Sequence, residues 1–436
     1  MGQDAGPDVA VEWEREFERW LTPFLEALGD RRRRRWAPVY LRGLLGPGER
    51  KSVQPLAARV APDDYQQLHH FVACSHWDPG PLEHRLATEA QRLVGGPGAV
   101  LIIDDTALLK RGPHSVGVAW QYAGCVGRIT NCQVLVSLTL ARGEVPVCVA
   151  LRLFLPTAWT ADAARCEAAG VPPERVATHW TKPELALGEL DRLTAAGVTF
   201  GHVAADAAYG NIVAFRQGLT ARGLTWAVGI APGTQVYAAA VTLAPAAKPR
   251  RGPTSPRPVP APPHVAAAAM LATARWGPVR WRAGTKGLLG GRFAVARVRV
   301  ADGPADGNDD HLPGQLAWLV GEERSDGERR YYLTNHSADT PRRTLVRAIK
   351  ARWACEQAHQ QLKEELGLDH FEGRSWRGLH HHALLTTICL AFLQHLRLAY
   401  APPAPAGRGK KIGARAGAAA HTLGPAAAAT APALPN

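Results

Sequence analysis

The sequence predicts a mixed α/β fold, in which helices flank one sheet, an antiparallel β region is inserted, and a helical region comes first. Two observations support this prediction. Short apolar runs that end in aspartate, GAVLIIDD and GVTFGHVAAD, are separated by helical stretches, as expected for buried central strands. Later segments such as GRFAVARVRV and ERRYYLTN alternate or cluster like antiparallel strands.

The helices are predicted from apolar spacing. WEREFERWLTPFLEAL, near the start of the chain, carries apolar residues at helical spacing. Five arginines follow it, Arg31–Arg35, and a solvated helix end explains this run as well as a DNA contact does. Residues 211–221 and 345–366 are also expected to be helical, and residues 380–399 to form a buried helix.

Composition divides the chain into five expected parts. They are a helical N-terminal region (1–95), the first part of the core (96–231), a β-rich insertion (232–344), the second part of the core (345–400) and a tail (401–436). Within the insertion, residues 242–265 hold so many prolines that neither a helix nor an inner strand is expected. The tail is basic and rich in proline and alanine, so we expect it to be disordered.

Charge and cysteine content narrow the class of protein. Lys and Arg number 51 against 38 Asp and Glu, and the net charge of +13 favours a polyanionic partner such as nucleic acid, although a GC-rich coding sequence also explains the arginines. Seven cysteines without a CxxC pair argue against a disulfide framework and a zinc site. The start of the chain lacks signal-peptide features, and the apolar stretch Ala383–Leu393 is too short to span a bilayer. A cytoplasmic location without a membrane is therefore expected.

Acidic residues stand at the ends of two predicted strands. Asp104 and Asp105 end the first apolar run, and Asp206 ends the second. Ligands usually bind at the carboxyl ends of such strands, and a buried carboxylate without a partner is costly. For either strand alone, an aspartate that caps a helix explains the pattern equally well.

A third acid lies in the helix predicted near the end of the core. At about 100° per residue, Glu356 shares one helical stripe with Arg352 and Lys363. Taken alone, this pattern favours an ordinary surface ion pair.

Taken together, the acids predict a metal site. The carboxylates of Asp104, Asp206 and Glu356 suit Mg²⁺, for which Mn²⁺ can substitute. Two such ions about 3.5–4 Å apart activate a water or a 3′-hydroxyl for displacement at phosphorus. Arg352 and Lys363 would then meet phosphate oxygens.

This arrangement resembles the DDE transposases of bacterial insertion sequences, in particular the branch with a YREK signature and a β-rich insertion in an RNase H-like core. The resemblance spans about residues 98–395. Four stretches carry it, in this order: LIIDDTALLKRGPHSVGVAWQYAGCVGRITNCQV, LFLPTAWTADAARCEAAGVP, VAADAAYGN and RWACEQAHQQLKEELGLDHFEGRSWRGLHHHALL.

The signature spacing matches at three of its four positions. Arg352, Glu356 and Lys363 fit it, whereas Ile349 stands at the tyrosine position. The departure removes whatever phosphate contact a tyrosine hydroxyl would make and leaves the expected metal ligands unchanged.

The resemblance also favours one of the two neighbouring aspartates. Adjacent side chains on a strand point to opposite faces, so only one is expected in a metal cluster. In related transposases the catalytic aspartate is typically followed one residue on by a threonine, which fits Asp104, Asp105 and Thr106 with Asp104 as ligand. Asp105 is then expected to cap a turn or bond a backbone amide.

The resemblance implies an enzyme that cuts and joins double-stranded DNA. Its partners would be the inverted-repeat ends of an insertion element and a target DNA, held by a homodimer, with the N-terminal region recognising the ends. Lys110 and Arg111, which follow the first aspartates, are predicted DNA contacts. Three alternatives stay open: an inactive or domesticated relative that binds DNA, a non-transposing RNase H-like nuclease, and a basic scaffold whose acids are helix caps.

Overall fold

The structure is a computed structural model that describes residues 7–244, 259–284, 287–304 and 311–400. The predicted disordered tail and the middle of the proline-rich segment lie outside the described residues. The flanks of the proline-rich segment are described and form a short two-stranded ladder.

The described helices follow one another from the N-terminus to residue 399. They are α1 (Pro7–Leu28), α2 (Arg31–Leu45), α3 (Val53–Val60), α4 (Tyr65–His69), α5 (Gly80–Val94), α6 (Thr157–Thr160), α7 (Ala163–Ala168), α8 (Pro173–Ala177), α9 (Lys182–Ala195), α10 (Ala207–Gly210), α11 (Val213–Ala221), α12 (Ala267–Met270), α13 (Arg342–Lys350), α14 (Trp353–Gln360) and α15 (Trp376–Ala399).

The described strands form one large sheet and the short ladder. They are β1 (Gly96–Leu109), β2 (Ala119–Ala123), β3 (Arg128–Arg142), β4 (Val145–Leu153), β5 (Phe200–Ala205), β6 (Trp226–Ile230), β7 (Gln235–Ala238), β8 (Thr242–Ala244), β9 (Val259–Ala261), β10 (Val265–Ala266), β11 (Gly277–Gly284), β12 (Gly287–Val300), β13 (Leu316–Glu323) and β14 (Arg329–Thr334).

Five strands form the centre of the sheet, in the order β4–β3–β1–β5–β6. The first three are antiparallel, and β1, β5 and β6 are parallel. This order and these directions are those of an RNase H-like core, so the predicted fold class is confirmed. Strand β1 is central because Leu101, Ile102 and Ile103 are fully buried and can pack on both faces of the sheet.

The inserted β region continues the same sheet. Strand β14 pairs with β6, and β13, β12 and β7 follow beyond it, all antiparallel. A buried ion pair between Arg216 of α11 and Asp302 (Nη2 to Oδ2, 3.0 Å) ties this region to the core. The insertion therefore lies beside the parallel strands that carry the acidic residues.

The prediction of one continuous helix over residues 345–366 is wrong. The structure has α13 and α14 instead, followed by a π-helical turn at Gln361–Glu365. Between the two helices each backbone hydrogen bond spans three residues instead of four. The amide of Ala354 donates to the carbonyl oxygen of Ala351, and the amide of Cys355 donates to that of Arg352. Such a tight turn inside a helix reorients the residues after it, which single-helix spacing cannot anticipate.

Helix α15 lies in the protein core. It packs against β4, α5 and α2, and His382 bonds Tyr40 of α2 (Nδ1 to Oη, 2.8 Å). Trp13 and Phe17 of α1 contact the ring of Phe392. In length and hydropathy α15 is the one described helix that could cross a membrane, but 67% of that stretch is buried inside the protein. We therefore interpret α15 as a core helix.

Candidate active site

Two aspartates lie side by side where the pairing between the parallel strands β1 and β5 ends. Ile103 of β1 pairs with Ala205 of β5, and Asp104 and Asp206 are the next residue along each chain segment. The close approach of the strands requires a glycine, because a Cβ at Gly201 would lie 2.2 Å from a backbone oxygen of Pro97. The strand pairing thus brings together two carboxylates that are 102 positions apart in sequence.

Asp206 is also the N-cap of α10. Its Oδ1 accepts hydrogen bonds from the amides of Ala208 (3.0 Å) and Tyr209 (3.3 Å). Helix α10 lies directly against β6, and a Cβ at Gly210 would be 1.9 Å from the carbonyl oxygen of Gly229. Asp206 is therefore both a helix cap, as the simpler interpretation of the sequence held, and a neighbour of Asp104.

Arg352 joins Asp104 of β1 to Glu356 of α14. Its Nη1 donates to Oδ2 of Asp104 (2.5 Å), and its Nη2 donates to Oε1 of Glu356 (2.5 Å). The Asp104 side chain is 13% exposed, whereas that of Glu356 is 53% exposed. One guanidinium group therefore lies between a buried and a solvent-facing carboxylate.

The electrostatics show that Arg352 interacts with all three acids. Burial acts to lower the pKa of Arg352, but the carboxylates of Asp104, Glu356 and Asp206 outweigh it and raise that pKa. Burial raises the pKa of Asp104 to about 6, against the lowering effect of Arg352 and with a further rise from Asp206. Burial likewise raises the pKa of Asp206, which Arg352 partly offsets. The site holds an excess of negative charge that one arginine only partly neutralises.

Asp105 points to the other face of the sheet. Its Oδ2 accepts from Nζ of Lys182 in α9 (2.7 Å), and its Oδ1 accepts from the Tyr209 hydroxyl (2.5 Å). The expectation that Asp105 caps a turn or bonds a backbone amide is therefore wrong. The amide contact belongs to Asp104, whose Oδ1 accepts from the Asp105 amide (2.8 Å).

A buried polar network behind Asp104 escaped the sequence analysis. Ser137 of β3 pairs with Asp104, and its hydroxyl donates to the Asp104 carbonyl oxygen (3.0 Å). The same hydroxyl lies 2.8 Å from Nε2 of His359 in α14, and Cys355 packs beside both. The network connects β1, which carries Asp104, to α14, which carries Glu356. In the sequence, Ser137 stands in an apolar strand with no motif around it.

The three basic residues Lys363, Lys110 and Arg111, which were predicted to contact DNA, differ in their surroundings. Nζ of Lys363 donates to the carbonyl oxygen of Ala107 on β1 (2.9 Å), and Nζ of Lys110 donates to that of Phe371 (2.8 Å). Arg111 is exposed in the loop after β1. Lys363 therefore bonds the backbone of β1, Lys110 bonds the backbone of the segment before α15, and Arg111 is the one of the three whose side chain faces solvent.

Ile349, at the signature tyrosine position, is buried at 5% exposure in an apolar cluster with Leu345 and Phe293. Its side chain serves the contact between α13 and the inserted strands.

The donor atoms suit a hard divalent cation. Among the described residues, no three Asp, Glu, His or Cys side chains stand in a ready metal-binding group. Yet Asp104, Asp206 and Glu356 all interact with one cation, the guanidinium of Arg352, and carboxylate oxygens are the ligands that Mg²⁺ prefers. The carboxylates around Arg352 are therefore of the chemical type that such an ion binds.

Comparison with known proteins identifies the family. Residues 23–288 match the model of a family described as DDE superfamily endonuclease. The probable transposase for insertion sequence element IS701 of Microchaete diplosiphon is 31% identical over 169 residues, or 38% of this chain. The match spans 41% of the length of that relative.

A solved structure, the cryo-EM piggyBac transposase synaptic complex with hairpin DNA, is 11% identical with a TM-score of 0.41. The alignment covers 82% of this chain and 64% of that one.

The family match includes Asp104 and Asp206 and ends before Glu356. The family model matches more than half of the residues of this chain, and the chain therefore belongs to the DDE superfamily of endonucleases.

Proposed function

We propose that this protein is a transposase that cleaves DNA at the ends of an insertion element and joins them to a target by two-metal-ion phosphoryl transfer. The observation that carries this proposal is the contact of Arg352 with Asp104 and Glu356, beside Asp206. A helix cap explains Asp206 but leaves unexplained why three acids surround one arginine.

In the proposed mechanism, Asp104, Asp206 and Glu356 hold Mg²⁺, for which Mn²⁺ substitutes. When bound, the ions supply Lewis acidity and an activated water or 3′-hydroxyl. Asp206 is oriented by the amides of α10, and Asp104 by the Asp105 amide. Arg352 leaves the carboxylates and turns its guanidinium to a DNA phosphate, for which its bidentate geometry is suited. Lys363 adds a positive charge beside β1.

The proposed partner is double-stranded DNA, as inverted-repeat ends and as target, bound by a homodimer in the cytoplasm. The arginine run gives local support. Arg31, Arg32, Arg34 and Arg35 are exposed in the first turns of α2, where the helix dipole disfavours positive charge. Bound phosphate would offset that cost, and the net charge of +13 acts in the same direction.

A cleavage and strand-transfer assay tests the proposal. The full chain is incubated with labelled DNA that carries the element's inverted repeats, with and without Mg²⁺. We expect Mg²⁺-dependent nicks at the repeat ends and joined products in a target plasmid. Glu356→Gln removes a ligand charge with little change of shape, so it should bind DNA normally and cut at least about a thousandfold more slowly.

The control is Glu364→Gln, which changes an exposed glutamate two turns further along the same segment. It should cut like the unchanged protein. DNA binding without cleavage in Mg²⁺ or Mn²⁺ would favour the inactive relative, and nicking without joined products would favour a simple nuclease.

A further inference from the structure

Strands β2 and β3 form a hairpin with unusual exposure of apolar side chains. Trp120 is 75% exposed, Tyr122 65% and Ile129 64%. Of the sixteen exposed large apolar side chains in the described residues, four belong to this hairpin, the fourth being Val126 in its connecting turn. Exposed apolar groups gathered in one place mark an interaction site, whereas scattered ones need no explanation.

The strand pairings place these three side chains on one face. Tyr122 pairs with Ile129, and Trp120 pairs with Asn131. Residues directly opposite on antiparallel strands share a face, as do residues two apart on one strand. We call the surface of Trp120, Tyr122 and Ile129 the aromatic hairpin face.

This face is the one that carries Asp104. The register of β3 is unbroken from Ile129 to Ser137, and Ser137 pairs with Asp104. Ile129 and Ser137 are eight positions apart, an even number, so their side chains lie on the same side of the sheet. At about 3.3 Å per residue, the aromatic hairpin face begins about 20 Å and ends about 26 Å from Ser137 along β3.

The hairpin also extends beyond the carboxyl end of β1. Leu109, the last residue of β1, pairs with Cys132, so the part of β3 before Cys132 has no β1 partner. Strand β2 pairs there along the opposite edge of β3. The hairpin therefore projects from the same end of the parallel strands at which Asp104 and Asp206 lie.

The charges around the face select its partner. From Thr106 to Gly143 the sequence contains no Asp or Glu, whereas Lys110, Arg111 and Arg128 lie within it. A second copy of this chain would bring like charges together, because a two-fold contact sets a surface against itself. The partner must carry negative charge to suit the basic residues and flat apolar groups to suit the aromatic side chains. Nucleic acid has both, because its phosphates are anionic and its bases stack on exposed aromatic side chains.

We infer that the aromatic hairpin face binds unpaired bases of the DNA substrate, about 20 to 26 Å along β3 from Ser137, the strand partner of Asp104. The inference rests on the proposed action on DNA. Trp120 and Tyr122 stack on the bases, and Ile129 packs against them. Arg111 and Arg128, both exposed, lie near the flanking phosphates.

The test measures whether Trp120 recognises bases in particular. Fluorescence anisotropy without divalent ions compares a labelled oligothymidylate of about twelve nucleotides with an abasic strand of equal length, which keeps the phosphates. The full chain should prefer the strand with bases. Trp120→Ala should lose about 5- to 150-fold in affinity for oligothymidylate and little for the abasic strand.

Two matched variants control the result. Trp120→Phe keeps an aromatic face and should retain the preference. Trp180→Ala changes another exposed tryptophan, just before α9, and should bind both strands like the unchanged protein. Because Trp120 is exposed, its loss should leave the melting temperature almost unchanged.

Several outcomes would overturn the inference. An equal preference for bases in Trp120→Ala and the unchanged protein would do so, as would no preference in either. A lower molar mass of Trp120→Ala by light scattering, without DNA, would assign the face to contact between copies instead. The cleavage assay tests the proposed function separately from this inference. If the protein binds bases through Trp120 but cuts no DNA, the proposed function is contradicted and the inference is not.

Discussion

Arg352 donates a hydrogen bond from Nη1 to Oδ2 of Asp104 at 2.5 Å, across 248 positions of sequence. Its other terminal nitrogen binds Glu356, one helical turn away. The guanidinium therefore occupies the position in which the proposed mechanism places a divalent cation. Arginine and metal are expected to compete for the same carboxylates, and this competition can be measured.

Arg352→Ala should make the stability of the protein depend on the metal. Without Arg352, Asp104 is a largely buried carboxylate with no cationic partner, so the free energy of unfolding should fall by about 1–3 kcal/mol, less than for a fully buried pair because Arg352 is partly exposed. Mg²⁺ should restore more stability to this variant than to the unchanged protein. Thermal unfolding with and without Mg²⁺ measures the difference.

The control is Arg222→Ala, which breaks the ion pair with Asp191 outside the site. It should show the same response to Mg²⁺ as the unchanged protein. If Arg352→Ala also responds like the unchanged protein, then arginine and metal do not share the carboxylates.

Asp104→Asn and Asp105→Asn should separate catalysis from structure. The first change removes a proposed metal ligand, and Mg²⁺-dependent nicking should slow by about a thousandfold or more. The second leaves the metal face intact but deprives Lys182 and Tyr209 of a charged partner, at a stability cost of about 1–3 kcal/mol. Nicking is measured at equal concentration of folded protein, and the opposite ranking would transfer the catalytic role to Asp105.

Metal affinity should fall in acid because of the raised pKa of Asp104. With a pKa of about 6, this carboxyl is mostly protonated at pH 5 and mostly ionised at pH 7. An ion must displace the proton, so the affinity for Mn²⁺ should drop about tenfold per pH unit below 6 and level off above it. The raised pKa of Asp206 acts in the same direction. Titration followed by electron paramagnetic resonance measures the affinity, and a flat profile between pH 5 and 7 would contradict the prediction.

Ser137→Ala should weaken the metal site without removing a ligand. The variant loses the bonds to the Asp104 carbonyl and to His359, so β1 and α14 are less firmly oriented. Such supporting contacts typically contribute about 10- to 100-fold to metal affinity or activity. The measured quantity is the Mg²⁺ concentration that gives half-maximal cleavage, which should rise, and Ser137→Thr should restore it.

Thr386→Ala provides the matched control for this prediction. Thr386 is a buried hydroxyl of α15, a helix that carries none of the three acids, and it bonds the carbonyl oxygen of His382. Its loss should lower the melting temperature without changing the Mg²⁺ requirement. An unchanged requirement in Ser137→Ala would mean that Ser137 contributes to stability alone.

Local patterns in the sequence determined much of this protein. The apolar runs before Asp104 and Asp206 predict two buried strands, because continuous hydrophobicity suits a strand covered on both faces. Alternation along β1 predicts that Asp104 and Asp105 point apart, and they bind Arg352 and Lys182 on opposite faces of the sheet. These features depend on neighbours in sequence, so the sequence is enough to predict them.

The tertiary structure alone decided which groups distant in sequence contact the aspartates. Lys182 reaches Asp105 across 77 positions, and Ser137 connects Asp104 to His359 through strand register and helix packing. The break before α14 likewise places Arg352 at the N-cap position of that helix, where one long helix was expected. Such contacts follow from the joint packing of distant segments around one core, and no local periodicity encodes that packing.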